Sequence, residues 1–188
     1  MVSANYLLKF GPKATATKIK QELVKIDRRL GNNLAFANGL VTGVEADDIK
    51  DWYEIHTKRV TIVIPSYNDF ELLVPLIKSL KLTTLPKNAD IIIVDDYCQD
   101  ANRKKLATLE DKQVKVIYRK QNGGFAIAVN DGLKAAHPKH DVVLLNSDII
   151  AHENWLGALQ FGAYEFGVDT GIVGPKLLYP DGRIQSAG

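Results

Sequence analysis

Four short segments concentrate residue types that can bind a polar ligand. The first is Pro65-Ser66-Tyr67-Asn68-Asp69. Proline ends an extended segment, a tyrosine ring can lie flat against a planar base, and Asn68 is of a helix-capping type. The second is Asp95-Asp96-Tyr97-Cys98-Gln99-Asp100. Adjacent carboxylates repel, and the repulsion is relieved if they accept hydrogen bonds from a ligand's N–H or hydroxyl groups or face a cation. Equally, one of them, or Asp100, caps the next helix. The third is Arg119-Lys120-Gln121-Asn122-Gly123-Gly124-Phe125. Paired glycines let backbone N–H groups approach an anion at a helix start, although a plain turn explains them as well. The pattern is neither GxGxxG nor a Walker loop. The fourth is Asn146-Ser147-Asp148. A carboxylate in a short polar loop suits magnesium or manganese bridging two phosphates, since these ions take one or two protein carboxylates and complete their shell with phosphate and water. The alternative is a turn in which Asp148 caps local backbone groups.

Other chemistry-bearing residues point less clearly. His137 and His140 flank a proline in a loop-like stretch and read as surface residues before metal ligands. His152 and Trp155 stand at the start of a helical segment, where core and surface roles suffice. Cys98 has no histidine near it in sequence to make a thiolate nucleophile.

The elements that must position these segments follow from periodicity. Residues 60–64 (VTIVI), 91–94 (IIIV), 114–118 and 142–145 (VVLL) are short apolar runs of the kind buried in parallel sheets, and a further strand is expected over 171–178. Helices are expected between them: one with Leu73, Leu76, Ile77 and Leu80 on a single face and Pro75 either in its first turns or kinking it, then 101–109, 124–136 and 154–166. Pro180-Asp181-Gly182 is a turn signal leading into Arg183-Ile184-Gln185. Alternating strands and helices make βαβ units with right-handed crossovers, a mainly parallel sheet and helices on both faces. Ligands of such sheets bind beyond the C-terminal ends of the strands, where all four segments fall. Residues 1–58 read differently, as a helical extension. Ile19, Leu23, Ile26 and Leu30 mark one face over 14–30, Gly31-Asn32-Asn33 a stop, and 46–56 a second short helix.

Composition sets the outer bounds. Of 188 residues, 46% are hydrophobic and 24% charged, the balance of a globular protein with a real core. A net charge of +2, from 24 basic and 22 acidic side chains, argues against a dedicated nucleic-acid binder. The single cysteine excludes an internal disulfide and fits a reducing cytoplasm. No apolar run spans a bilayer, which leaves peripheral membrane contact and self-association open.

The succession VTIVIPSYND, IIIVDDYCQD, NGGFAIAVNDGLKAA, VVLLNSDII and GIVGPKLLYPDGRIQSAG closely resembles the family-2 inverting glycosyltransferases of the GT-A fold, over about residues 59–188. The resemblance implies an α/β, mainly parallel Rossmann-like sheet binding a nucleoside-diphosphate sugar. It implies that Tyr67 packs on the base, with Pro65 and Ser66 shaping the pocket, and that Asp95 and Asp96 read base and ribose. It further implies that Asn122, Gly124 and Asn130 line the nucleotide side. The same resemblance implies that Asp148 binds a divalent metal, Mn or Mg, on the diphosphate. Asparagine replaces the first acid of that DXD-type loop, so the resemblance implies that Asn146 is a donor contact. The implied partners are a UDP- or dTDP-sugar and a glycan or lipid-linked acceptor. The family's general base lies well beyond the DXD loop, and 40 residues follow Asp148 here, with Asp181 in a turn. The expectation is therefore the donor-binding part of a longer enzyme. A sugar-nucleotide nucleotidyltransferase is the alternative, although it would show a glycine-rich basic loop after the first strand. A non-catalytic nucleotide-binding or scaffolding domain is the third reading.

Overall fold

The computed structural model describes residues 46–165 and 170–187. The helix expected over 14–30 and its stop lie outside them. The elements are α1 (Ala46–His56), β1 (Val60–Ser66), α2 (Phe70–Thr83), β2 (Ala89–Asp95), α3 (Asp100–Leu106) with a 3-10 turn (Ala107–Leu109), β3 (Val114–Tyr118), α4 (Phe125–Ala135), β4 (Asp141–Leu144), α5 (Trp155–Glu165), β5 (Lys176–Leu178) and β6 (Ile184–Ala187). They group into two compact units, one of residues 58–153 and one in which residues 46–57 join those from 154 onward. No helix among the described residues is long and apolar enough to cross a membrane.

The unit of residues 58–153 is a parallel four-stranded sheet in the order β3-β2-β1-β4. Its central strands are β-branched because both of their faces are covered. On one face Val63, Ile92 and Val94 cluster with Ala128 of α4, and Ile117 packs against them. Side chains alternate along a strand, so Ile62, Ile64, Ile91 and Ile93 point to the other face, where none is more than 1% exposed. Gly132 lets α4 lie this close: a Cβ there would collide with Val63 and stand 3.1 Å from Val94. The expected face of α2 is buried through Leu73, Leu76, Ile77 and Leu80, and Pro75 falls inside the helix. β4 is an edge strand, and Val142 and Leu144, which share one of its faces, are exposed.

The second unit pairs segments distant in sequence. Trp52 of α1 is buried edge-on against Phe161 of α5, with ring centroids 5.5 Å apart, and its Nε1 donates to Glu165 at 2.9 Å. Gly157 admits Tyr53, whose ring carbon would stand 3.2 Å from a Cβ added there. The strand expected over 171–178 shortens to three residues and pairs antiparallel with β6. The turn between them has Gly182 at φ +86°, and Asp181 accepts from the backbone and side chain of Arg183. Of the N-terminal segment expected as a helical extension, the described part, α1, packs with α5.

Candidate functional site

The sheet order places the functional loops. The chain steps outward from β1 to β2 to β3, then crosses back to set β4 on the other side of β1. Loops leaving β1 and β4 diverge at that reversal and open a crevice. A cavity of about 550 Å³ lies there, lined by Pro65, Ser66, Tyr67, Asp69 and Leu72 after β1 and by Asp96 after β2. Asn122, Gly124, Phe125 and Ala128 line it after β3, and Asn146, Ser147 and Asp148 after β4. Residues from four separate strand ends thus face one space.

The acidic pair divides. Asp95 is fully buried and off the cavity wall. It accepts from the Cys98 amide at 2.9 Å and from Arg103 Nε at 2.7 Å. Arg103 also donates to the Arg119 carbonyl at 2.6 Å and lies against the rings of Tyr97 and Tyr118. Asp95, expected from sequence at base and ribose, thus stands in the interior, paired within the chain and off the cavity wall. Asp96 does reach the wall. Its carboxylate is ion-paired with Arg119 and accepts from the amides of Gly123 at 2.9 Å and Gly124 at 2.7 Å. The anion at the paired glycines is thus the protein's own side chain. Guanidinium groups relieve the repulsion between the two carboxylates, one arriving from the next helix and one from the next strand end.

The loop after β1 is held from below. Asn68 adopts φ +55°, and its Oδ1 accepts from the Gln99 amide at 3.0 Å and from Asn102 at 3.1 Å. It therefore serves the start of α3, not of the helix that follows it. Ser66 Oγ donates to Asp69 at 2.5 Å. Tyr67 is left 55% exposed on the cavity wall, free to meet a ligand's flat face. Cys98 is buried beneath, where its sulfur accepts from the Asn68 amide at 2.9 Å. Burial, the largest influence, pushes its thiol up to about 12, which removes the nucleophile option.

Asn122 donates to the Asp96 carbonyl at 3.2 Å as well as lining the cavity. Asn130, expected alongside it, is exposed on α4 and absent from the wall. His137 and His140 stack at 4.3 Å, with His140 near Thr61 and Asp90, at the strand starts and so at the opposite end of the sheet. Burial and the neighbouring His137 hold His140 below its ordinary pKa. His152 is exposed and off the wall, and Trp155 belongs to the other unit. Asp69, Leu72, Phe125 and Ala128 were not among the expected lining residues. An aromatic directly after Gly-Gly was the one sequence signal available, at Phe125, which the structure leaves exposed.

The donor set tests what metal could bind. No cluster of three or more His, Cys, Asp or Glu able to hold an ion occurs among the described residues, which does not fit a protein-caged metal. Of the three carboxylates on the wall, Asp69 and Asp96 are engaged, while Asp148 is exposed and has no partner among the described residues. One free carboxylate beside Asn146 and Ser147 fits a cation that takes its other ligands from a diphosphate and water.

The sequence profile described as "Glycosyl transferase family 2" matches residues 61–174. The chain is 29% identical over 127 residues to the glycosyltransferase GlyG of Streptococcus pneumoniae, covering 66% of this chain and 41% of that protein. It is 28% identical over 147 residues to the poly(ribitol-phosphate) β-N-acetylglucosaminyltransferase TarP of Staphylococcus aureus, covering 69% and 43%. The chain thus spans less than half the length of either relative. Among solved structures, the mannosyltransferase PcManGT of Pyrobaculum calidifontis, in complex with GDP-Man and Mn2+, is similar with a TM-score of 0.51 and 16% identity, over 78% of this chain and 44% of that one. That likeness shows a shared GT-A, Rossmann-like fold. Because the profile covers more than half of the chain and all of the cavity-lining loops, the chain belongs to glycosyl transferase family 2.

Proposed function

We propose that this chain holds the donor site of an enzyme that transfers a sugar from a UDP- or dTDP-linked donor to a glycan or lipid-linked acceptor, with inversion and with a divalent metal. The observation that carries the reading is the convergence of Tyr67, Asp96 and Asp148, from three different strand ends, on one cavity. Tyr67 offers a ring for the base. Asp96, fixed by its partners, accepts from the nucleoside. Asn146 and Ser147 offer polar contacts on the phosphate side, and Asp148 holds the metal. A bound Mn or Mg neutralises charge on the departing diphosphate. The name of TarP, a poly(ribitol-phosphate) β-N-acetylglucosaminyltransferase, supports a polymer as the acceptor. We infer that this polymer is a cell-envelope polysaccharide and that the reaction lies in the cytoplasm, peripheral to the inner face of the membrane.

Calorimetric titration with UDP, dTDP, GDP and ADP, with and without manganese, tests the reading. Nucleotide binding that strengthens with manganese, and loses that gain in Asp148→Ala, is the expected result. A folded protein that binds no nucleotide under any of these conditions contradicts it.

A further inference from the structure

Asp96 is held more tightly than a wall residue requires. Oδ1 accepts from Arg119 Nη1 and from the Gly123 amide, and Oδ2 from the Gly124 amide. A carboxylate has about four acceptor positions, two on each oxygen. Three are occupied by the chain, so the position left for a ligand is on Oδ2. The side chain is only 5% exposed and stands on the cavity wall, so it cannot swing to offer another.

Arg119 is aimed in turn. Its Nε donates to Asp131 Oδ2 at 2.9 Å, and Asp131 lies on α4 outside the cavity wall. Gly123 leaves room for this fork, since a Cβ there would stand 2.6 Å from Nη1 and 2.7 Å from Nη2. Burial opposes the guanidinium's charge, yet its bonds to Asp96 and Asp131 outweigh that and raise its pKa above the ordinary value. Arg119 is thus a permanent two-sided donor, and the chain Asp131–Arg119–Asp96 runs from the helix to the pocket.

Resting on the donor-site reading above, we infer that Arg119 and Asp131 are positioning residues that hold Asp96 as a fixed, acceptor-only reader of the nucleobase. Such a site favours bases with an N–H on the ring nitrogen of their pairing edge: uracil, thymine and guanine. Cytosine and adenine present a lone pair there, which repels the carboxylate's own. They can match the last acceptor position only by shifting so that the exocyclic amino group donates instead, away from the position the ring N–H would take. Asp131 touches no ligand, so it acts on selectivity only through Arg119.

Titration of the full chain with UDP, dTDP, GDP, CDP, ADP and inorganic pyrophosphate, each with manganese, tests this. At least one of UDP, dTDP and GDP binds the unaltered protein about tenfold or more tighter than CDP and ADP, as expected for one matched hydrogen bond to a charged group. Arg119→Lys keeps the charge but lacks the fork, and weakens the favoured nucleotide about tenfold, and Asp131→Asn about fivefold. Both leave pyrophosphate within about twofold, so the preference over CDP and ADP shrinks; a general structural role would move pyrophosphate equally. Unchanged nucleotide affinity in both variants overturns the inference. So does a parallel loss of pyrophosphate binding, or equal binding of all five nucleotides by the unaltered protein. Asp131 is one-third exposed, so its variant carries the test if Arg119→Lys fails to fold. If the unaltered protein binds no nucleotide, the donor-site reading itself is what fails, before any variant is measured.

Discussion

Asp95 and Asp96 are chain neighbours with the same side chain, yet Arg103 draws one into the interior while Arg119 and two glycine amides hold the other at the cavity wall. Loss of a partner from such a buried pair costs several kcal/mol, so each guanidinium decides where its carboxylate can stand. Cys98, three residues on from Asp95, shows the same dependence on surroundings. Burial pushes its thiol from 9.0 to about 12, so the folded state favours the neutral form. Below about pH 9 both states carry the thiol and the preference adds fully to stability. Above it the unfolded chain ionises first, and stability falls as pH rises toward 12. Denaturant unfolding at pH 8 and pH 10.5 is expected to show a larger loss for the unaltered protein than for Cys98→Ala. Equal losses would mean that the thiol is not buried as described.

Elements are matched to one another by small residues at their closest approach. α4 reaches the sheet only because position 132 has no side chain. Gly132→Ala forces a methyl group against Val63 and Val94, and is expected to destabilise by about 1–3 kcal/mol in denaturant titration. The helix also carries Phe125 and Ala128 on the cavity wall, so its displacement would widen the pocket. The helical periodicity of residues 73–80 foretold the buried face of α2, because that signal is local. The strand expected over 171–178 was foretold too long. Only its last three residues find a partner strand, and backbone pairing, not hydrophobicity, defines the element.

For the molecule as a whole, sequence distance is a poor guide to grouping. Trp52 and Glu165 are 113 residues apart and hydrogen-bonded, while every cavity-lining residue lies between 65 and 148 in the other unit. Trp52→Ala removes the edge contact with Phe161 and the bond to Glu165. Its expected cost is about 3–5 kcal/mol, read from the thermal unfolding of Trp155 fluorescence. A change below about 1 kcal/mol would show that this pairing contributes little.

By itself the sequence determined the alternation of strands and helices, the parallel sheet, the four strand-end loops and the family. Apolar runs and turn residues act over a few positions, and the loops of a parallel sheet must emerge at one end. It could not determine which acid reaches the cavity wall. Asp95 and Asp96 look alike until crossovers bring up Arg103 from 8 residues away and Arg119 from 23. Nor could it show that Asn68 serves α3, that the glycine amides hold the chain's own carboxylate, or that Asn130 turns away from the cavity. Those outcomes rest on ion pairs and hydrogen bonds between segments that meet only once the sheet is assembled, and the tertiary structure alone decided them.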